Sequence, residues 1–140
     1  MEPTLSHGQL LLVRPLDRRD TIARGDIVVA RDPRILDTDY IKRIIGLPGE
    51  YVRIGASGVL INEHSLYEPY LAEAEWPVDG SVSQWLLAED EYLVLGDNRN
   101  DSRDSRRFGP LSRDHILGTA WLRYWPPSAW GRLPQVLPYL

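Results

Sequence analysis

The chain has 140 residues, a formal charge of −4 and a hydrophobic fraction of 43%, which suits one globular domain with one core. Its acidic balance argues against nucleic acid as a main partner, because phosphate binding needs a concentrated basic face. Cysteine is absent from the sequence, which excludes disulfides, a thiolate nucleophile and cysteine zinc sites. We predict no metal site and no cofactor.

Membrane and export signals are the next features that the sequence can test. No apolar run approaches the ~18 residues that a membrane-spanning helix needs. The printed start shows no basic segment followed by an apolar one, the pattern of a signal peptide. We therefore expect the chain as printed to be soluble.

Short apolar runs separated by glycine and proline predict strands and turns, and hence an all-β domain with little helix. In chain order the predicted strands are QLLLVRP, GDIVVARDP, DYIKRIIG, EYVRI, VLINE, EYLVLG and GTAWLRYW. The fourth and fifth are predicted to pair as a hairpin, and a short helical turn is expected at 112–116. Residues 67–90 contain Pro69, Pro77 and Gly80, and we expect a long irregular loop or lid there.

Lys42 is the only lysine in the sequence, and it lies in the apolar run between Ile41 and Ile44. Arginine cannot act as a base in water, whereas burial can lower the pKa of a lysine until its amine is neutral at physiological pH. This pattern is typical of a general base. The alternative is a lysine at a strand edge whose amine reaches solvent, and position alone does not separate the two.

The polar loop at 96–106, GDNRNDSRDSR, directly follows a predicted strand. In isolation it would fit a solvated turn. Asp104 and Arg106 could instead brace the loop as an ion pair. The hydroxyl of Ser102 could hold an amine by a hydrogen bond without adding a charge that raises its pKa.

These segments together resemble the type I signal peptidases, serine proteases with a Ser-Lys dyad, over nearly the whole chain. MEPTL is similar to the family's Ser-Met-x-Pro-Thr box without its first residue, and RGDIVV to its Gly-Asp-(Ile/Val)-Val box. YIKRIIGLPGE resembles the lysine box, and GDNRNDSRDSRRFGP resembles the Gly-Asp-Asn-Arg-x-x-Ser-x-Asp-Ser-Arg box. The last two matches are long and specific.

The resemblance implies a signal-peptidase-type fold of antiparallel sheets, with one catalytic domain over residues 1–140. It implies that Lys42 is the general base and that Ser102 supplies the hydroxyl that orients it. Supporting roles fall to Asp104, Arg106, Asp97 and Arg43. The residues expected to bind substrate are Met1, Pro3, Leu5, Asp39, Tyr40 and Ile41, with the 39–41 backbone pairing to an extended peptide as an added strand. Plain core packing is the alternative for the apolar members of that set.

In the resembling family the nucleophile is the serine directly before the methionine that corresponds to Met1. We therefore expect the printed chain to be inactive. A misassigned start codon, a trimmed chain and a natural pseudoenzyme all remain open as explanations. Ser6 and Ser105 have no motif reason to replace that serine opposite Lys42.

The implied partners are the signal peptides of exported precursor proteins and, in a full-length form, the extracytoplasmic side of a membrane. Association with the membrane would use an upstream anchor and an apolar surface. Among the tryptophans we expect Trp121 in the core and Trp130 at the membrane interface. The alternatives are another maturation or inner-membrane peptidase of the same superfamily, and a non-catalytic homologue that binds peptides.

Overall fold

The computed structural model describes residues 1–32, 34–35, 38–71 and 81–134. These residues contain one α-helical turn, α1 (Ser105–Phe108), and two 3₁₀ turns, Arg113–His115 and Pro127–Ala129. The strands are β1 (Leu10–Pro15), β2 (Ile27–Arg31), β3 (Asp39–Gly46), β4 (Tyr51–Gly55), β5 (Gly58–Ile61), β6 (His64–Ser65), β7 (Ser83–Leu86), β8 (Glu91–Leu95), β9 (Leu111–Ser112), β10 (Ile116–Trp125) and β11 (Gly131–Arg132).

The strands form two antiparallel sheets. The larger sheet has the order β1-β10-β2-β3-β8-β9, with β11 also paired to β10, and the smaller one has the order β6-β5-β4-β7. The predicted all-β fold with little helix is therefore confirmed, as is the predicted hairpin, which is formed by β4 and β5.

Strand β3 lies inside the larger sheet, between β2 and β8, and both of its faces are covered. Ile44 packs with Val28 and Val94 on one face, while Ile45 packs with residues of the smaller sheet on the other. A strand that is covered on both sides needs apolar residues at consecutive positions, which explains the run that follows Lys42. The same strand thus carries the lysine into the interior.

The structure corrects one prediction about 67–90. Ser83–Leu86, expected to be irregular, forms β7 and pairs with β4. Trp85 packs against the core beneath it, and the Tyr51 hydroxyl donates a hydrogen bond to Gln84, so cross-strand contacts outweigh the weak local strand signal. Residues 72–80 lie outside the described part of the chain.

The placement of Trp121 is a second correction, because this side chain is 47% exposed and does not lie in the core. It lies on β10, and Trp130, beyond the end of that strand, is 69% exposed. Other large apolar side chains exposed on β1 and β10 are Leu10, Leu12, Val13, Tyr124 and Trp125. We call these seven individually exposed residues, four of them aromatic, the aromatic patch; they lie on β1, on β10 and just beyond it. No helix in the described residues is long and apolar enough to cross a bilayer.

Candidate active site

The amine of Lys42 is held in the interior by β3. Lys42 lies opposite Val28 in the β2–β3 pairing and is only 8% exposed. Its Nζ atom lies 5.7 Å from the centroid of the Tyr40 ring, which is two residues earlier on the same face of the strand. The reading of Lys42 as a solvent-directed edge lysine is therefore not supported by its burial.

Desolvation is the main influence on the Lys42 amine, and it lowers the pKa below the ordinary value of a lysine. The nearby carboxylates of Asp104 and Asp97 act in the opposite direction, while the guanidinium of Arg106 adds to the lowering. The net effect favours the neutral amine, which is the form that can accept a proton.

Asp104 organises the loop that follows β8. It is the N-cap of α1, and its carboxylate accepts hydrogen bonds from Nε and Nη2 of Arg106, both 2.9 Å, and from the Gly96 amide, 3.0 Å. Burial alone would raise the pKa of this carboxyl, but the hydrogen bonds hold the pKa below its usual range. The predicted brace between Asp104 and Arg106 is thus present as an ion pair, and it closes the loop onto the end of β8.

Gly96 is the point where Lys42 and Ser102 approach each other. A Cβ atom added to Gly96 would overlap the Ser102 hydroxyl and would lie 3.7 Å from Lys42 Nζ. Glycine at this position leaves room for the Ser102 side chain beside Lys42. The Ser102 Oγ atom is buried and makes no hydrogen bond within the described residues; its approach to the Asp104 carboxylate helps to lower the pKa there but lacks hydrogen-bond geometry.

Arg43 and Asp97 form a buried ion pair directly beside the lysine. Both side chains are fully buried, and Arg43 donates to Asp97 from Nε at 2.8 Å and from Nη2 at 2.6 Å. The Thr4 hydroxyl also donates to Asp97, and Arg43 Nη1 donates to the Gly25 carbonyl at 3.0 Å. This pair therefore joins β3, the loop after β8 and the amino-terminal segment.

The amino-terminal segment brings Met1 close to the lysine. Burial lowers the pKa of the Met1 amino group, and the charge of Lys42 lowers it further. The Leu5 amide donates to the Met1 carbonyl at 3.0 Å, so the segment turns tightly here. The influence of the Lys42 charge on this amino group indicates that the two groups lie near each other.

Most residues predicted to bind substrate lie together. Met1, Leu5 and Ile41 pack in one apolar cluster with Ile27 and Ala120. Asp39 and Tyr40 precede Ile41 on β3, whereas Pro3 lies apart on a shallow cleft with Thr4, Pro69, Tyr70 and Pro134.

The edge of β3 offers backbone groups for an extended peptide. On its β8 side, β3 is paired only from Arg43 onward, so in the described part of the chain no strand pairs with 39–42 on that side. A free strand edge of this kind can accept an added strand.

Sequence reasoning missed four residues at this site. Gly96 was quoted as part of a motif, but nothing in the sequence shows that its missing side chain makes room for Ser102. Glu68 and Tyr70 were missed because 67–90 was interpreted as irregular, whereas Arg99 was quoted within the loop at 96–106 but given no role. The stretch EPY at 68–70 carries a weak signal, since an acid and an aromatic residue flank a proline beside a strand.

Comparison with known proteins places this site in a family. The family model described as "Signal peptidase, peptidase S26" matches residues 1–125. The chain belongs to this family. The resemblance found in the sequence motifs is thereby confirmed.

Signal peptidase relatives match nearly the whole chain. A probable signal peptidase I-2 of Synechocystis is 40% identical over 139 residues, which cover 95% of this chain and 62% of the relative. A signal peptidase I of Leptolyngbya laminosa is 38% identical, with 95% of this chain and 68% of the relative covered. The chain thus spans less than two thirds of the length of the first of these two signal peptidases.

A solved structure supports the signal peptidase fold. The crystal structure of a signal peptidase I from Enterococcus faecalis matches with a TM-score of 0.61 and 32% sequence identity. The match covers 71% of this chain and 97% of the other.

Proposed function

We propose that the chain is the catalytic part of a serine endopeptidase that removes signal peptides from exported precursor proteins by a Ser-Lys dyad mechanism. Family membership and the names of the signal peptidase relatives support this proposal. The single observation that carries the mechanism is the buried amine of Lys42, whose pKa is lowered beside Gly96 and Ser102.

In this mechanism Lys42 is the general base. The neutral amine takes the proton of a serine hydroxyl as that oxygen attacks the carbonyl at the end of the signal peptide. The resulting ammonium gives its proton to the leaving amine, which leaves an ester between the serine and the signal peptide. Water activated by the same lysine then hydrolyses the ester and restores the serine.

The nucleophile we propose is a serine directly before Met1. The effect of the Lys42 charge on the Met1 amino group supports this place, because it requires the two groups to lie near each other. Ser102 would then orient the amine, since its buried hydroxyl has no hydrogen-bond partner among the residues that the structure describes.

The substrate would lie along the free edge of β3 as an added strand. Backbone groups of 39–41 would hold the peptide, and the apolar cluster of Met1, Leu5 and Ile41 would receive its small side chains. The aromatic patch supports a proposal that the enzyme works against a membrane, because tryptophan and tyrosine favour the interface between lipid and water.

The test adds a serine before Met1. We expect this variant to cleave precursors with an Ala-x-Ala site, and the printed chain to leave them intact because it supplies no hydroxyl at that position. Lys42→Ala and Lys42→Arg should both abolish the cleavage, since neither side chain can accept the proton. Activity that persists in the Arg variant would refute a neutral lysine as the base.

A substrate panel separates the proposal from its alternatives. Cleavage of several unrelated Ala-x-Ala precursors fits a signal peptidase, whereas cleavage of one precursor fits a dedicated maturation protease. Tight peptide binding without cleavage by the serine-bearing variant would fit a peptide-binding homologue.

A further inference from the structure

We propose that Glu68 and Tyr70, just after β6, are positioning residues that hold Gly96 and Arg43 against the lysine. This inference rests on the proposed function of Lys42 as a general base. It assigns a role to the start of 67–90, a segment whose sequence carries only a weak signal of a connection with the site.

The first connection runs from Glu68 through Arg99 to Gly96. The Arg99 guanidinium is fully buried; its Nη1 donates to Glu68 at 3.0 Å, and Nη2 donates to the other oxygen of the same carboxylate. The third nitrogen, Nε, donates to the Gly96 carbonyl at 2.9 Å. Glu68 therefore fixes the plane of the guanidinium, and the guanidinium fixes the carbonyl of the residue that separates Lys42 from Ser102.

Gly96 is thus held on both sides. Its amide donates to the Asp104 carboxylate and its carbonyl accepts from Arg99. The ion pair of Asp104 with Arg106, described above, holds only the amide of Gly96 and not its carbonyl. Loss of the Glu68 side would let the backbone at Gly96 rotate and would admit water to the amine.

The second connection runs from Tyr70 to Arg43. The Tyr70 ring stacks on the Arg43 guanidinium, with 3.9 Å between the ring centroid and Cζ, and the Tyr70 hydroxyl donates to Glu68. Arg43 is the neighbour of Lys42 on β3 and binds Asp97 on its other side. The two connections meet at Glu68, so one carboxylate supports the strand and the loop that together enclose the lysine.

We expect Glu68 and Tyr70 to act on the Lys42 amine by positioning the groups around it, and not through a direct effect of charge. The charged groups that act on the Lys42 amine are Asp104, Arg106 and Asp97, and desolvation outweighs each of them. Loosening the enclosure should therefore restore water to the amine. That change raises its pKa towards the ordinary value of a lysine.

The experiment uses the fact that Lys42 is the only lysine. Isotope-labelled lysine gives one side-chain NMR signal, whose titration reports the Lys42 pKa in the printed chain, without any nucleophile. We expect Glu68→Gln to raise this pKa. In the variant with serine before Met1, Glu68→Gln should reduce kcat at least about tenfold and leave KM within about twofold.

The matched control is Glu63→Gln, which changes the same side chain in the exposed pair with Arg53 and should alter neither value. Because Glu68→Gln leaves the Arg99 charge buried, a second variant, Glu68→Gln with Arg99→Gln, removes both charges while still releasing the Gly96 carbonyl. It should raise the Lys42 pKa in the same way.

The outcomes separate this proposal from the proposed function. An ordinary pKa for Lys42 in the unmodified chain would overturn the general-base function itself. A lowered pKa that stays unchanged in the folded variants, or falls further, would overturn only the positioning role. Unfolding of both variants would also overturn it, because Glu68 would then serve stability alone.

Discussion

At the scale of single residues, the site depends on the missing side chain of Gly96 as much as on the side chains of Lys42 and Ser102. The Oγ and Cβ atoms of Ser102 occupy the space that a methyl group on Gly96 would need. The lysine was identifiable from the sequence because it is the only one and lies in an apolar strand. The role of the glycine was not, because the approach of residue 102 to residue 96 depends on the fold of the loop.

Gly96→Ala should disrupt the site. The added methyl group must displace Ser102, and such overpacking costs about 1–3 kcal/mol of unfolding free energy. Urea unfolding measures this cost, and precursor cleavage by the serine-bearing variant measures the loss of activity. Gly55→Ala is the matched control, because its methyl group would lie 3.5 Å from the nearest atom, on Val82. Equal effects of the two substitutions would contradict the crowding at Gly96.

Lys42 should also give the stability of the fold a specific pH dependence. Its folded-state pKa lies below that of the unfolded chain, so the unfolded state binds more protons in the interval between the two values. Stability linked to Lys42 therefore rises with pH across that interval. Lys42→Met, which does not titrate, should be more stable than the parent chain near pH 6.

The difference should shrink as the pH approaches about 10, where the lysine of the unfolded chain also becomes neutral. Urea unfolding of both proteins across this range measures the difference. A gap that widens with rising pH would show that burial does not lower the pKa of Lys42.

At the scale of elements, the strand pattern of the sequence was sufficient to predict β1 to β5, β8 and β10. It was insufficient for β7, because this strand has only four residues and depends on its contacts with β4. The turn α1 was missed as well. Its first residue is set by Asp104, whose side chain accepts a hydrogen bond from the Arg106 amide, and the sequence does not show that bond. Pairs distant in sequence, such as Arg43 with Asp97, cannot be assigned by local pattern at all.

The buried pair between β3 and the loop after β8 should be a strong structural contact. Asp97→Asn leaves the Arg43 charge buried without its partner, and we expect a loss of about 3–5 kcal/mol in unfolding free energy. Asp39→Asn breaks a half-exposed pair between β3 and Arg31 of β2, where about 1 kcal/mol or less is expected. Chemical denaturation compares the two. Similar losses would mean that Arg43 finds another partner when Asp97 is replaced.

At the scale of the whole molecule, the proposed general base and the aromatic patch occupy different parts of the larger sheet. Lys42 belongs to β3, whereas the patch covers β1 and β10, where Leu10 lies opposite Trp125. The prediction that Trp121 lies in the core was wrong because a strand pattern in the sequence does not show which face of β10 is covered. Exposed patches of this composition are typical of binding surfaces.

The aromatic patch should bind lipid. We expect the chain to sediment with zwitterionic vesicles, and Trp125→Ser with Trp130→Ser to weaken this binding severalfold, because indole rings favour the lipid interface. Tyr67→Ser is the control, since Tyr67 is similarly exposed but lies outside the patch. Equal loss of vesicle binding in both variants would indicate nonspecific hydrophobic adsorption. Unchanged binding by the double variant would show that other residues contact the membrane.

Side chains alternate between the two faces of β3, so the neighbouring basic residues Lys42 and Arg43 lie in different environments. Lys42 lies opposite Val28 and Arg43 opposite Ile27, on the two faces of the strand. A slip of one position against β2 would exchange them, so that a guanidinium, permanently protonated, would occupy the place of the amine. In the proposed mechanism hydrolysis would then stop, although the hydrogen-bonded ladder between the strands persisted. The fidelity of hairpin alignment during folding therefore decides whether each molecule acquires a proton acceptor.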